Sequence, residues 1–312
     1  MTDACGHAFA HEALFYAGPQ EFLDGTVPFI REGLDADESI LVAVPGDRVE
    51  LLRLALDGQS HRICLADMAK LGRNPGRIIG AWRDFLREND AERKRVRGIG
   101  EPVWAGRRAD ELVECQRHES LLNLAFDGGP AWRLLCPYDT EALGDEVIAE
   151  ARRSHPILVE GGLRTDSAAY VPPSPERGPE DDLPEPTGPA ERMTFTLDEV
   201  SEVRRLVRRR GAEAGLGRDR TGDLVLAVSE VATNSVLHGG GGGVLSIWQD
   251  ADTLICEVRD RGRIADPLIG RARPTRLQAG GRGMWLVNEV CDLVQVRSLA
   301  DGNVVRLHLR AA

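Results

Sequence analysis

Between residues 165 and 190, Pro172, Pro173, Pro175, Pro179, Pro184, Pro186 and Pro189 alternate with Glu176, Glu180, Asp181, Asp182 and Glu185. Such a stretch lacks the apolar side chains needed to bury a core, and proline stiffens it into an extended spacer. The chain must therefore fold as two bodies rather than around one centre. With 312 residues in all, each side of the break is long enough to bury its own core. The expected domains are residues 8–164 and 191–312, joined by a Pro-rich acidic linker over 165–190.

The first half alternates strand-like and helix-like patterns. Apolar β-type runs fall at Leu14–Ala17, Ile40–Val44, Arg62–Leu65, Val96–Ile99 and Trp132–Cys136, each followed by a helical period. This predicts a doubly wound α/β domain with a mainly parallel sheet. Ligands in such folds bind beyond the C-terminal ends of the strands. The loops to watch are therefore Pro45-Gly46, Gly72-Arg73-Asn74-Pro75, Gly100-Glu101-Pro102 and Pro137-Tyr138-Asp139. No Gly-x-x-x-x-Gly-Lys-Ser/Thr loop occurs, which argues against nucleotide hydrolysis in this half. Trp104, Trp132 and Tyr138 would serve as a pocket lining or as ordinary core.

In the second half, Glu230, Asn234 and His238 recur at four-residue steps, so they share one stripe of a helix. Leu224, Ala227, Val228, Val231 and Ser235 form the stripe expected to be buried. A carboxylate and a carboxamide at this spacing suit an ATP–magnesium site, because magnesium takes few protein oxygens and keeps positions for water and phosphate. Asn234 would supply the oxygen, and Glu230 would accept a proton from an incoming hydroxyl. Residues 253–259 alternate as a strand and run into Asp260-Arg261-Gly262, a turn signal. An acceptor-only carboxylate there suits an exocyclic amine such as adenine N6. Gly280-Gly281-Arg282-Gly283 then opens the helical pattern Met284–Val290, where bare backbone N–H groups would meet phosphate.

Taken in order, these segments resemble the GHKL (Bergerat-type) ATP-binding fold, an α+β two-layer domain. The N box is Glu230…Asn234…His238-Gly239, the first G box Asp260-Arg261-Gly262, and the second Gly281-Arg282-Gly283. Within that superfamily the segment is similar to the anti-sigma factor branch of serine/threonine kinases, whose short lid residues 263–280 match. The resemblance implies Glu230 as catalytic base and Asn234 as the Mg2+ ligand. It implies Asp260 as adenine anchor, and His238, Gly262, Gly281, Arg282 and Gly283 as nucleotide contacts. Two positions depart from it: Ile264 stands where relatives have a second glycine, and Asn303 follows Gly302 where relatives often hold a threonine.

The first half resembles the MEDS (methanogen/methylotroph sensory) domain through Phe15-Tyr16-Ala17-Gly18, Pro28 to Leu34, Gly72-Arg73-Asn74-Pro75, Gly100 to Trp104, Arg117 to Asn123 and Cys136 to Asp139. That resemblance implies sensing of an unknown small-molecule or protein signal.

A net charge of −11 argues against nucleic acid or an anionic membrane as the main partner. No apolar run is long enough to span a bilayer, and the N-terminus lacks a leader pattern, so a cytoplasmic protein is expected. The six cysteines show no Cys-x-x-Cys pair and are expected reduced and buried. Cys5 with His7 and His11, or Cys115 with His118, are candidate metal ligands that lack partners at a known spacing. His118-Glu119 looks like a phosphoacceptor pair, yet it falls within one helix, Glu111–Phe126, which favours a structural or ligand-facing histidine.

The expected function is that of an ATP–Mg2+-dependent regulator. It would phosphorylate a STAS-type anti-sigma antagonist and bind a sigma factor by partner switching, with homodimer formation open to it. The alternatives are a non-catalytic ATP-gated binding module and a histidine-kinase-like sensor.

Overall fold

The alternating pattern of the first half builds a seven-stranded sheet in the computed structural model, which describes residues 9–173, 182–274 and 281–311. The chain divides into two compact units, Met1–Pro173 and Ser174–Ala312.

In the first unit, β1 (Ala10–Tyr16) leads to α1 (Gly18–Asp35), β2 (Ser39–Val44), α2 (Gly46–Ala55), β3 (Cys64–Asp67), the single turn α3 (Met68–Leu71) and α4 (Ile78–Glu88). It continues through β4 (Val96–Gly100), α5 (Ala109–Ala125), β5 (Arg133–Asp139), α6 (Asp145–Ser154), β6 (Ile157–Glu160) and β7 (Leu163–Asp166). The strand order is β3-β2-β4-β5-β1-β6-β7, and every pairing is parallel except the final β6–β7 hairpin. That hairpin turns on Gly161 and Gly162, both at positive φ, the backbone that a two-residue turn of this hand demands. The unit is α/β with a mainly parallel sheet.

Its central strands are largely apolar on both faces, as strands covered from both sides tend to be, with β7 at the edge exposed. Phe22 and Ile30 of α1 and Leu52 of α2 pack with Tyr16, Ile40, Val42 and Val44 in one cluster. Trp82 of α4 lies so close to β4 that a Cβ at Gly98 would sit 2.6 Å from its ring. Trp132 and Tyr138 are 3% and 2% exposed: they are core residues, with Trp132 packed among Phe9, Trp82 and Phe126.

In the second unit, β8 (Glu191–Thr196), α7 (Val200–Glu213), α8 (Arg218–His238), β9 (Gly242–Asp250), β10 (Thr253–Asp260), α9 (Arg282–Val290), β11 (Leu293–Leu299) and β12 (Gly302–Arg310) follow in order. The sheet β11-β12-β10-β9-β8 is antiparallel throughout, giving an α+β domain of two layers. Val203 and Val207 of α7, Leu224, Ala227, Val228 and Val231 of α8, and Met284 and Val287 of α9 meet Ile247, Cys256, Val258, Val305 and Leu307 of the sheet.

Alternate residues of the same strands point the other way, and that face is polar. There Arg306 donates to Glu257 at 2.6 and 2.8 Å and to the Pro184 carbonyl at 2.8 Å, with its guanidinium over Trp248. Arg259 donates to Glu257 at 2.7 Å and to Asp182 at 2.8 and 3.0 Å. The Arg259 hydrogen bonds hold the Asp182 carboxyl below its usual range. Leu183 between these contacts is 5% exposed. The C-terminal end of the proline-rich stretch is thus fastened to β10 and β12. Among the described residues no helix is long and apolar enough to cross a membrane.

Candidate functional site

Glu230, Asn234 and His238 lie along α8, with the stripe Leu224, Ala227, Val228, Val231 and Ser235 buried beneath them. The helix stops at Gly239, and side-chain volume at that point is limited: a Cβ at 239 would sit 2.5 Å from the Asp260 carboxyl carbon. Asp260 is the last residue of β10 and lies beside the end of α8.

Three donors fix the Asp260 carboxylate. Oδ1 accepts from the Gly262 N–H at 2.8 Å and from Asn303 Nδ2 at 2.9 Å, and Oδ2 accepts from Ser235 Oγ at 2.7 Å. A carboxylate offers about four acceptor positions. One remains, on Oδ2, and Asp260 borders a cavity of about 430 Å³. Asn234, His238, Gly281, Gly283 and Met284 line the same cavity, as do Ile264 and Ile269. A space of this size, apolar with a few convergent polar groups, suits a small ligand such as a nucleotide base.

The structure therefore brings Asn234, His238, Asp260, Gly281 and Gly283 around one cavity. Gly262 sits behind Asp260: a Cβ there would lie 2.7 Å from the His238 carbonyl oxygen. Arg282 is exposed at the first position of α9. Glu230 lies one helical turn before Asn234, against the start of α9, where a Cβ on Gly283 would stand 2.6 Å from Glu230 Oε2. Gly281 has φ +86, the left-handed backbone that lets the chain turn into α9 with its N–H groups presented. Gly280 and the end of the 263–280 lid lie outside the described residues.

Two residues of the site carry more than their sequence positions suggested. Ser235 is 1% exposed, in keeping with the apolar stripe, yet its hydroxyl supports Asp260. Asn303, at the position where relatives often hold a threonine, donates to Asp260 and accepts the Ile264 N–H at 2.9 Å. The chain beyond β10 is thereby held at Ile264, and held again where Asn288 Nδ2 donates to the Gly270 carbonyl at 3.1 Å.

In the first unit the strand-end loops converge. Tyr16 at the end of β1 donates to Glu101 just past β4 at 2.8 Å. Arg48, from the first turn of α2, donates to Asp139 at the end of β5 at 3.1 Å and covers the Tyr16 ring. Arg107 donates to the carbonyls of Gly72 and Pro102 at 2.7 and 2.9 Å, tying the fourth loop to the others. Burial pushes the Glu101 carboxyl up to about 8, against the Tyr16 hydrogen bond and the Arg48 charge. His118 is 1% exposed inside α5, a position closed to an incoming phosphate. Of the cysteines, Cys115, Cys136, Cys256 and Cys291 are buried free thiols, whereas Cys64 is exposed, contrary to expectation. Cys5 and His7 lie outside the described residues.

Residues 10–156 match the family described as MEthanogen/methylotroph, DcmR Sensory domain (MEDS), and residues 193–309 match the histidine kinase-like ATPase domain. No curated protein matches the chain. Among solved structures, the RsbU and RsbW domains of Rv1364c from Mycobacterium tuberculosis align at 22% identity and a TM-score of 0.31, over 39% of this chain and 32% of that one. The Acinetobacter baumannii histidine kinase AdeS aligns at 13% identity and a TM-score of 0.23, over 39% of this chain and 68% of that one. The aligned part thus spans about a third of the first of these. By its family matches, the chain joins a MEDS sensory domain to a histidine kinase-like ATPase domain.

Proposed function

We propose that the C-terminal unit binds ATP with magnesium and acts as an anti-sigma factor-type serine/threonine-protein kinase, with the N-terminal unit modulating its output. The observation that carries this reading is the Asp260 carboxylate, fixed by Ser235, Gly262 and Asn303 with one acceptor position left beside the cavity. Adenine N6 is a donor of the right kind for it.

The residues around the cavity suit the rest of the nucleotide. Asn234 would offer its carbonyl oxygen to magnesium, which when bound neutralises charge on the phosphates. The N–H groups at the start of α9 would receive phosphate oxygens, where Gly281 and Gly283 keep side chains out of the way. Glu230 would accept the proton of an incoming serine or threonine hydroxyl as that oxygen takes the phosphoryl group. The protein substrate would be a STAS-type antagonist and the regulated partner a sigma factor, in the cytoplasm.

Ile264 favours a second reading, a nucleotide-gated binding module without transfer. Its N–H is tied to Asn303 and its side chain packs on the domain core, which restrains the start of the lid. The buried His118 speaks against a phosphohistidine sensor.

The deciding experiment incubates the full chain with ATP, Mg2+ and candidate antagonist proteins. Phosphate transfer that vanishes in Glu230→Gln, with ATP binding retained, supports the kinase. Tight ATP binding with no transfer supports the module, and absence of ATP binding overturns both.

A further inference from the structure

Four buried side chains in the first unit converge on one another and take no part in the candidate nucleotide site of the second unit. His11 on β1, Glu119 on α5, Cys136 on β5 and His155 just after α6 are each no more than 1% exposed. One ligand-type atom from each lies within 4.8 Å of all the others. Glu119 Oε2 stands 3.1 Å from His11 Nε2 and 3.2 Å from His155 Nε2, and Cys136 Sγ stands 3.4 Å from His11 Nε2.

The hydrogen bonds around the cluster decide where its protons are. Asn123 Nδ2 donates to the Ser154 carbonyl at 2.7 Å, which turns Asn123 Oδ1 toward His11 Nδ1 at 3.1 Å. His11 must therefore carry its proton on Nδ1. His155 Nδ1 faces the Ala151 carbonyl at 2.8 Å and must donate as well. In the neutral imidazoles both Nε2 atoms then present lone pairs, and they present them to a carboxylate. The Cys136 thiol supplies the one proton among these four inward-facing groups. Electron pairs crowded in this way, out of water, are stabilised by a positive charge placed between them, and four inward-facing donor groups offer a metal ion a complete set of ligands.

We propose that His11, Glu119, Cys136 and His155 form a buried site for one divalent transition-metal ion of the zinc type. Zinc bonds of about 2.0–2.1 Å to nitrogen and oxygen and about 2.3 Å to sulfur give tetrahedral edges of about 3.3–3.6 Å. The three separations above are within a few tenths of an ångström of such edges. The histidine rings, now 4.0 Å apart, spread modestly when the ion enters. Asn123 and the Ala151 carbonyl are the outer-shell acceptors that metal-bound imidazoles use to fix their tautomer. Loading converts the Cys136 thiol to thiolate and releases that proton to solvent, so a divalent ion, one thiolate and one carboxylate sum to zero charge in a dry site. Mixed imidazole, thiolate and carboxylate donors in four-fold array select zinc-like ions over magnesium or calcium. The spacing between the four residues in sequence is long, which is why a search for short ligand motifs does not bring them together.

The test uses the full chain, stripped with chelator under reducing conditions and titrated with Co2+ as a spectroscopic probe. The expected result is one cobalt per chain, with the intense visible bands of a tetrahedral ion and a thiolate-to-metal charge-transfer band, both erased by added Zn2+. Cys136→Ser should lose the charge-transfer band. It should also weaken binding by more than the roughly 10–100-fold that removal of an outer-shell partner costs, which is the loss expected for Asn123→Ala. Glu119→Gln, nearly isosteric, guards against a variant that fails to fold. No cobalt binding, binding without a charge-transfer band in the parent protein, or equal affinity in a folded Cys136→Ser or Glu119→Gln variant would each overturn the site.

Discussion

Asn303 donates its side-chain amide to Asp260 at 2.9 Å, and its carbonyl oxygen receives the N–H of Ile264 at the same distance. One residue of β12 thus positions both the carboxylate and the start of the segment beyond it. Removing it takes away one of three donors on a charged group, a loss of about 1.5–3 kcal/mol for bonds of this type. Asn303→Ala should therefore weaken ATP binding about ten-fold, the equivalent of about 1.4 kcal/mol. Asp260→Asn should weaken it further, because an amide NH2 placed at the Oδ1 position would face the Gly262 and Asn303 donors, and placed at Oδ2 beside Ser235 it would no longer offer adenine an acceptor. Calorimetry on the two variants checks this, and unchanged ATP affinity in both would remove Asp260 from the adenine role.

With Glu230 as the proposed base, its close approach to Gly283 offers a way to separate chemistry from binding. Loss of a general base typically costs ~10²–10⁴-fold in rate while leaving ground-state contacts in place. Glu230→Gln should lower phosphate transfer by that factor with ATP affinity nearly unchanged. Gly283→Ala places a methyl 2.6 Å from Glu230 Oε2 and must push the carboxylate aside. It should also lower the rate, and the double variant should be little worse than Glu230→Gln alone. Additive losses would mean that Gly283 acts independently of Glu230.

Much of this was legible in the sequence because it depends on local spacing. Four-residue steps put Glu230, Asn234 and His238 on one stripe, and strand–turn chemistry put Asp260 at the end of β10. The parallel α/β class followed from alternation alone, although the edge hairpin β6–β7 did not: four-residue strands carry too short a period to read. What the sequence hid are partners brought together by topology. Asn303 and Ser235 reach Asp260 from 43 and 25 residues away. His11 and Cys136 are 125 residues apart and meet only because β1 pairs with β5 in register, His11 opposite Leu134 and Ala13 opposite Cys136. No one-dimensional period encodes such pairs.

The proline-rich stretch is expected to matter to the stability of the second unit. Asp182 and Pro184 bind Arg259 and Arg306, and Leu183 between them is buried. The exposed Asp182–Arg259 pair is worth about 1 kcal/mol at most. A buried leucine side chain contributes about 1.5–3 kcal/mol. A fragment beginning at residue 191 should therefore melt several degrees below one beginning at 182, and Leu183→Ala in the longer fragment should reproduce most of the difference. Equal melting temperatures would show that these contacts contribute nothing.

Glu101 should give the first unit a pH-dependent stability of unusual sign for a carboxylate. Its ordinary value is 4.5 and burial raises it to about 8 in the folded chain, despite the Tyr16 hydroxyl and the Arg48 guanidinium and with Asp47 and Asp139 adding to the rise. Below the ordinary value the group is protonated in both states and its contribution is fully present. As pH rises toward 8 the unfolded chain gives up its proton while the folded chain keeps it, so stability falls across that window and stays low above it. With about 1.4 kcal/mol per unit of difference, the loss is on the order of a few kcal/mol. Glu101→Gln keeps an acceptor for Tyr16 and cannot ionise. Urea unfolding of parent and variant from about pH 5 to about pH 9 should show curves that diverge steadily, with the parent losing stability relative to the variant as pH rises. Parallel curves would mean that Glu101 is ionised, and accommodated as such, throughout that range.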